Sequence, residues 1–85
     1  MTVQFYLSVQ EHTKCQEIEL EQAETMRVLI DKLGERFGED FRQYLLADET
    51  CFFLINGKSL LSIGGMNAPL QPNDKIQILP VVEAG

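Results

Sequence analysis

The chain is poor in the residues from which active sites are built. It has one histidine, His12, and two cysteines, Cys15 and Cys51. A nucleophile–base–acid set needs grouped partners, and no such group forms around His12, which reads as an exposed residue in a connection. Metal binding needs clustered Cys or His, and Cys15 and Cys51 lie far apart in the chain. They are also too few for a disulfide scaffold or an iron–sulfur cluster. No P-loop or dinucleotide fingerprint is present, because Gly64-Gly65 lacks a strand–loop–helix context. Basic residues are scarce as well. Seven Lys and Arg face 13 acidic residues, for a net charge of −6 that repels phosphate backbones and argues against nucleic acid. No apolar run approaches the ~20 residues that cross a bilayer. Met1 to Phe5 lacks the basic stretch of a signal peptide. The expectation is a soluble cytoplasmic domain, with no bound cofactor, no metal and no membrane partner.

What is present makes one core. Eighty-five residues do not hold two, and 45% hydrophobic with 24% charged residues is a globular balance. Val3, Phe5, Leu7 and Val9 alternate with polar neighbours, which predicts a first strand facing inward at those positions. The polar run Gln10 to Lys14 then serves as a hairpin connection. Ile18 and Leu20 alternate with Glu17, Glu19 and Glu21 in a second strand. The period changes at Met26, where Leu29, Ile30, Leu33 and Phe37 follow at helical spacing. Thr25 is placed to cap that helix and Gly38 to stop it. Glu39 to Thr50 reads as an irregular connection with a short helical turn around Phe41 to Leu46.

The segment "CFFLINGKSLL" predicts a hairpin, with apolar runs flanking an Asn56-Gly57 type I′ turn. "KIQILP" supplies the last strand, with Ile76 and Ile78 inward. The order is strand, strand, helix, strand, strand, strand. A helix after the first hairpin covers one face of the sheet, and the apolar first and last strands suit its middle. The pattern predicts an α+β fold of β-grasp (ubiquitin-like) type, a mixed sheet with one main helix. The domain is expected over residues 1–80, with a flexible C-terminal tail at 81–85.

The C-terminal half, "LINGKSLLSIGGMNAPLQPNDKIQILPVVEAG", resembles the MoaD/ThiS family of ubiquitin-like sulfur carriers, and the MoaD branch most closely. The "NGK" hairpin, the "G-x-x-x-P-L" turn, "P-x-D-x-I-x-I-x-P" and the glycine-ended tail carry the likeness. The opening "VQFYLSVQE" is also similar to the first strand of MoaD proteins. The resemblance implies a carrier and not an enzyme, with the catalytic groups on its partners. An E1-like (MoeB/ThiF-like) adenylyltransferase would use ATP to activate the Gly85 carboxylate, which then becomes a thiocarboxylate. The tail would enter a MoaE-like large subunit of molybdopterin synthase and give up its sulfur there, in molybdenum or tungsten cofactor synthesis.

The tail chemistry fits that role. Glycine at the end permits close backbone approach. Pro80 is expected to stop the ladder, and β-branched Val81 and Val82 to stay extended along a partner's groove. Ala84 stands where the family has glycine. That departure keeps open a β-grasp interaction module without tail chemistry, beside a thiamine-type or other biosynthetic carrier. Tyr6 and Leu79 fall on the strand faces opposite the helix and, with Leu60 beside the hairpin turn, form the expected docking patch.

Overall fold

Val3 and Phe5 alternate inward with Thr2 and Gln4 outward, and they place strand β1 (Thr2–Phe5) in the middle of a five-stranded sheet. The other strands are β2 (Glu17–Glu19), β3 (Cys51–Ile55), β4 (Lys58–Ser59) and β5 (Lys75–Pro80), in the order β2-β1-β5-β3-β4. The computed structural model describes residues 1–47 and 50–81. β1 runs parallel to β5, and every other neighbouring pair is antiparallel, so the sheet is mixed. A parallel pair needs a crossover, and the helix that the sequence places between the two hairpins lies on one face of the sheet to supply it.

That helix, α2, spans Met26–Phe37, with the Thr25 hydroxyl accepting from the Val28 N–H at 3.4 Å and Gly38 closing it. Its stripe of Met26, Leu29, Ile30 and Leu33 is wholly buried. Val3, Phe5, Ile76 and Ile78 form the other side of the same core. Phe5, Phe37 and Phe41 close one end edge-to-face, with centroids 5.5 to 6.2 Å apart. Asn56 and Gly57 have φ of 53° and 85°, as a type I′ turn requires.

Three sequence expectations change. Residues beyond Phe5 do not continue β1; Leu7–Thr13 form a helix, α1, in place of a strand end and a hairpin connection. Val9 and Thr13, four apart, are its buried face, and Leu7 points outward at 64% exposure. The connection after Gly38 is a regular helix, α3 (Glu39–Leu46), which buries Phe41 and Leu45. Phe41 packs with Phe5 and Phe37, so α3 joins α2 on the covered face and leaves the opposite face open. Arg42 on α3 also reaches Asp31 of α2 at 2.9 Å. The run Leu60-Leu61 does not extend β4 but begins a 3-10 turn, Leu60–Ile63, that buries Leu60.

Pro80 is the last residue of β5, where the sequence expects the ladder to stop. It pairs with Cys51, and the Val81 N–H still donates to the Thr50 carbonyl at 3.0 Å. The alternation of an antiparallel pair turns the missing Pro80 N–H toward the β1 side, where the chain has already left for α1. The next bond of the parallel ladder would need an N–H at residue 80, and the Tyr6 carbonyl accepts from the Val9 N–H at 3.0 Å instead.

Truncating Leu33 to Ala tests this packing. The side chain is fully buried under α2, so unfolding free energy should fall by about 2–5 kcal/mol in urea titration. A near-neutral change would contradict the placement of α2.

Candidate functional site

The open face of the sheet takes alternate residues from the central strands: Gln4 and Tyr6, Gln77 and Leu79, Phe52 and Leu54. Their inward neighbours Phe5, Ile76, Ile78, Phe53 and Ile55 are buried in the core. Register sets the open-face residues side by side, Gln4 against Gln77, Leu79 against Phe52, and Gln77 against Leu54. Toward β2 the face is polar, with Thr2 bonded to Glu19 at 2.5 Å and Gln4 to Glu17 at 3.1 Å. Toward β3 it is apolar, with Phe52 exposed at 41% and Leu54 and Leu79 half-buried.

Tyr6 sits at the boundary between these halves. Its hydroxyl donates to Gln4 Oε1 at 2.8 Å and accepts from Gln77 Nε2 at 2.7 Å. Gln77 Nε2 also donates to Gln4 Oε1 at 3.2 Å. Both roles of the phenol are filled, so the ring is fixed across the β1–β5 seam with its carbon edge available for contact.

Of the docking residues expected from sequence, Tyr6 and Leu79 therefore share one face. Leu60 does not; it is buried, 4% exposed, because the β3–β4 register sets position 60 toward inward-facing Phe53, and the 3-10 turn that begins there keeps it in the core. Val81 is bonded to Thr50 and 37% exposed, one residue beyond β5. Val82, Ala84 and Gly85, the remaining tail positions, lie outside the described residues. Phe52 and Leu54 were not anticipated. Their signal was the inward setting of Phe53 and Ile55, which turns every other residue of "CFFLI" outward.

Two sequence motifs meet at the far end of β5. The Asn56 amide donates to Asp74 Oδ1 at 2.8 Å, and its carbonyl accepts from the Lys75 N–H at 3.0 Å. The other Asp74 oxygen accepts from the Gln71 N–H at 2.8 Å. The Asn of "NGK" and the Asp of "P-x-D" thus tie the hairpin to the start of β5. Both are structural parts.

His12 lies in the last turn of α1, exposed, with its ring 4.3 Å from that of Tyr44. Among the described residues no group of three His, Cys, Asp or Glu is placed to hold a metal ion. Also among them, no helix is long and apolar enough to cross a membrane. Burial pushes the Cys51 thiol up from its ordinary value, and a hydrogen bond with Tyr44 offsets only part of that. A raised thiol holds less thiolate at a given pH, which is the reverse of an activated nucleophile. Iodoacetamide should therefore modify Cys51 more slowly than free cysteine at pH 8. Peptide mapping of a time course checks this; alkylation faster than free cysteine would contradict it.

The geometry leaves an open face beside a C-terminal segment, and comparison with known proteins says what kind of protein carries it. Curated proteins give no match by sequence. Among solved structures, a chain of the Amycolatopsis orientalis BexX/CysO complex is similar with a TM-score of 0.83 at 24% identity, covering 99% of this chain and 98% of that one. The small archaeal modifier protein 1 of Methanosarcina acetivorans is similar with a TM-score of 0.83 at 22% identity, covering 99% and 94%. A putative molybdopterin converting factor, subunit 1, from Pyrococcus furiosus has a TM-score of 0.72 at 20% identity, covering 95% of each chain. These likenesses establish the ubiquitin-like β-grasp fold. The ThiS family profile matches residues 3–85, nearly the whole sequence and all of the tail. The members of that family are small sulfur carriers, themselves not catalysts, which work with E1-like activating enzymes and biosynthetic partners. The chain belongs to the ThiS family of ubiquitin-like sulfur carriers.

Proposed function

We propose that this chain is the sulfur-carrying small subunit of a molybdopterin synthase, with Gly85 as its chemical end. The observation that carries the reading is the family match through Gly85, on a fold whose last described residues leave the sheet beside an apolar open face. The likeness to the Pyrococcus furiosus converting factor and the "NGK" and "P-x-D-x-I-x-I-x-P" segments favour the molybdopterin branch.

A carboxylate is a poor electrophile. In the proposed sequence a Gly85 oxygen attacks the α-phosphorus of ATP on an E1-like, MoeB/ThiF-like enzyme, and pyrophosphate leaves. A sulfide-level sulfur donor then attacks the acyl carbon of the mixed anhydride, and AMP leaves with the oxygen. The thiocarboxylate enters the MoaE-like subunit, where the sulfur passes to the pterin precursor. Gly85 and Ala84 are thin enough to thread a covered site, and Val81 and Val82 line the way in. Tyr6 and Leu79, joined by Phe52, hold the body of the carrier against its partner. The chain itself binds no cofactor; ATP belongs to the activating enzyme.

A thiamine-type or other biosynthetic carrier is the second reading, favoured by the match to the ThiS profile. Loss of sulfur from the charged carrier to a MoaE-like subunit, with formation of the dithiolene product, separates the two.

Deleting Gly85 should abolish ATP–pyrophosphate exchange with the E1-like enzyme, because the carboxylate retreats by ~3.5 Å from the attacking geometry. Ala84→Gly should be tolerated. Exchange by the deletion variant at the parent rate would make this an interaction module without tail chemistry. Leu79→Asp should leave the thermal midpoint nearly unchanged and weaken association in calorimetric titration with the synthase subunit. Unchanged affinity would reject the open face as the docking surface.

A further inference from the structure

Three non-glycine residues have positive φ among the described residues: Leu7, Lys14 and Asn56. Two have a local reason. Lys14 caps α1, its N–H bonded to the Gln10 carbonyl at 2.8 Å. Asn56 opens the hairpin turn and is held by Asp74 and Lys75. Leu7, with φ at 53°, has no such support. A leucine here sets Cβ against the following carbonyl oxygen, and glycine or asparagine would make the same strand-to-helix turn at lower cost. Burial does not compensate, because the side chain is 64% exposed. Both the backbone and the hydration of Leu7 are unfavourable in the isolated domain, and strain of this kind collects at functional sites.

Its position supplies the function. Phe5 is level with Ile78 in the parallel β1–β5 pair, and the Tyr6 N–H donates to the Ile78 carbonyl at 3.2 Å. Leu7 comes next, where β5 ends at Pro80 and the chain passes to Val81, and α1 packs against β5. Register puts Leu7 on the β1 side and Phe52 on the β3 side of the last residues of β5, and both are exposed apolar residues, as is Val81. Val82 to Gly85 span at most ~14 Å when extended. An enzyme that encloses the Gly85 carboxylate must therefore lie against this rim.

We propose that Leu7 is a docking residue for the adenylating enzyme, seated in an apolar recess beside the entrance through which that enzyme takes the tail. The inference rests on the sulfur-carrier reading. On the α1 side the surface next to Leu7 is polar and of mixed charge, with Gln10, Glu11 and Lys14, so the apolar contact on that side is concentrated in this one side chain. The left-handed backbone holds it outward before the partner arrives, which lowers the ordering cost of docking.

The test is ATP–pyrophosphate exchange by the E1-like enzyme of the same organism, measured against carrier concentration. Leu7→Gly should raise KM for the carrier ~10-fold, the scale of one lost apolar anchor, with kcat within about twofold. Its thermal midpoint should equal or exceed the parent's, since glycine relieves the strained backbone. Leu7→Asn, which also tolerates this φ, should behave alike, and Leu7→Met should keep the parent KM. Unchanged KM in both the Gly and Asn variants would overturn the proposal, whether or not the thermal midpoint falls. Exchange by the parent with no Leu7 effect leaves the carrier reading standing and removes only this inference. No exchange by the parent removes both.

Discussion

The parallel pairing of β1 with β5 is the contact on which the rest of the molecule depends. It joins strands from opposite ends of the chain; the Gln77–Gln4 bond across the seam spans 73 residues of sequence. Such long-range closure is entropically costly before it is rewarded, and the buried layer of Val3, Phe5, Ile76 and Ile78 under α2 supplies the reward. Once the pair forms, β2 and β3 have edges to add to, and the helices have one face to cover. The same pairing brings Tyr6 beside Leu79 and places α1 next to the end of β5. The open face and the place where β5 ends are products of one strand register.

Seen this way, the motifs that carry the family likeness divide into two kinds. Asn56 and Asp74 do no chemistry; their side chains bond each other and the backbone around Gln71 and Lys75, holding the hairpin and β5 in register. In the proposed function the tail motif is the chemical one. A carrier needs a rigid body and a reactive end, and these segments separate the two tasks. Cys51 fits the same division, since burial suppresses its thiolate.

The elements with a single consistent period were legible. Thr25 to Gly38 reads as a capped amphipathic helix, and it is one; Asn56-Gly57 and "KIQILP" are likewise placed correctly. The stretch after Phe5 was not, because Val3, Phe5, Leu7 and Val9 satisfy a strand period while Val9 and Thr13 satisfy a helical one. Packing chose the helix, and it moved Leu7 to the surface. Leu60 misled because register was overlooked: with Ser59 against Leu54, the next position falls opposite inward-facing Phe53 and not on the open face. Here the chain bends into a 3-10 turn and buries the side chain. The open-face setting of Tyr6 and Leu79 was legible because inward neighbours at Phe5 and Ile78 fix their direction. The same logic applied to Phe53 and Ile55 would have found Phe52 and Leu54.

The central claim is that sulfur is carried at Gly85 and nowhere else in the chain. Intact and fragment mass spectrometry after co-expression with the E1-like enzyme and a sulfur donor tests it directly. The account predicts a gain of ~16 Da, oxygen replaced by sulfur, confined to the C-terminal peptide and lost when Gly85 is deleted. A gain of ~32 Da on the Cys15 or Cys51 peptide, the mark of a persulfide, with the C-terminal peptide unchanged, would contradict it.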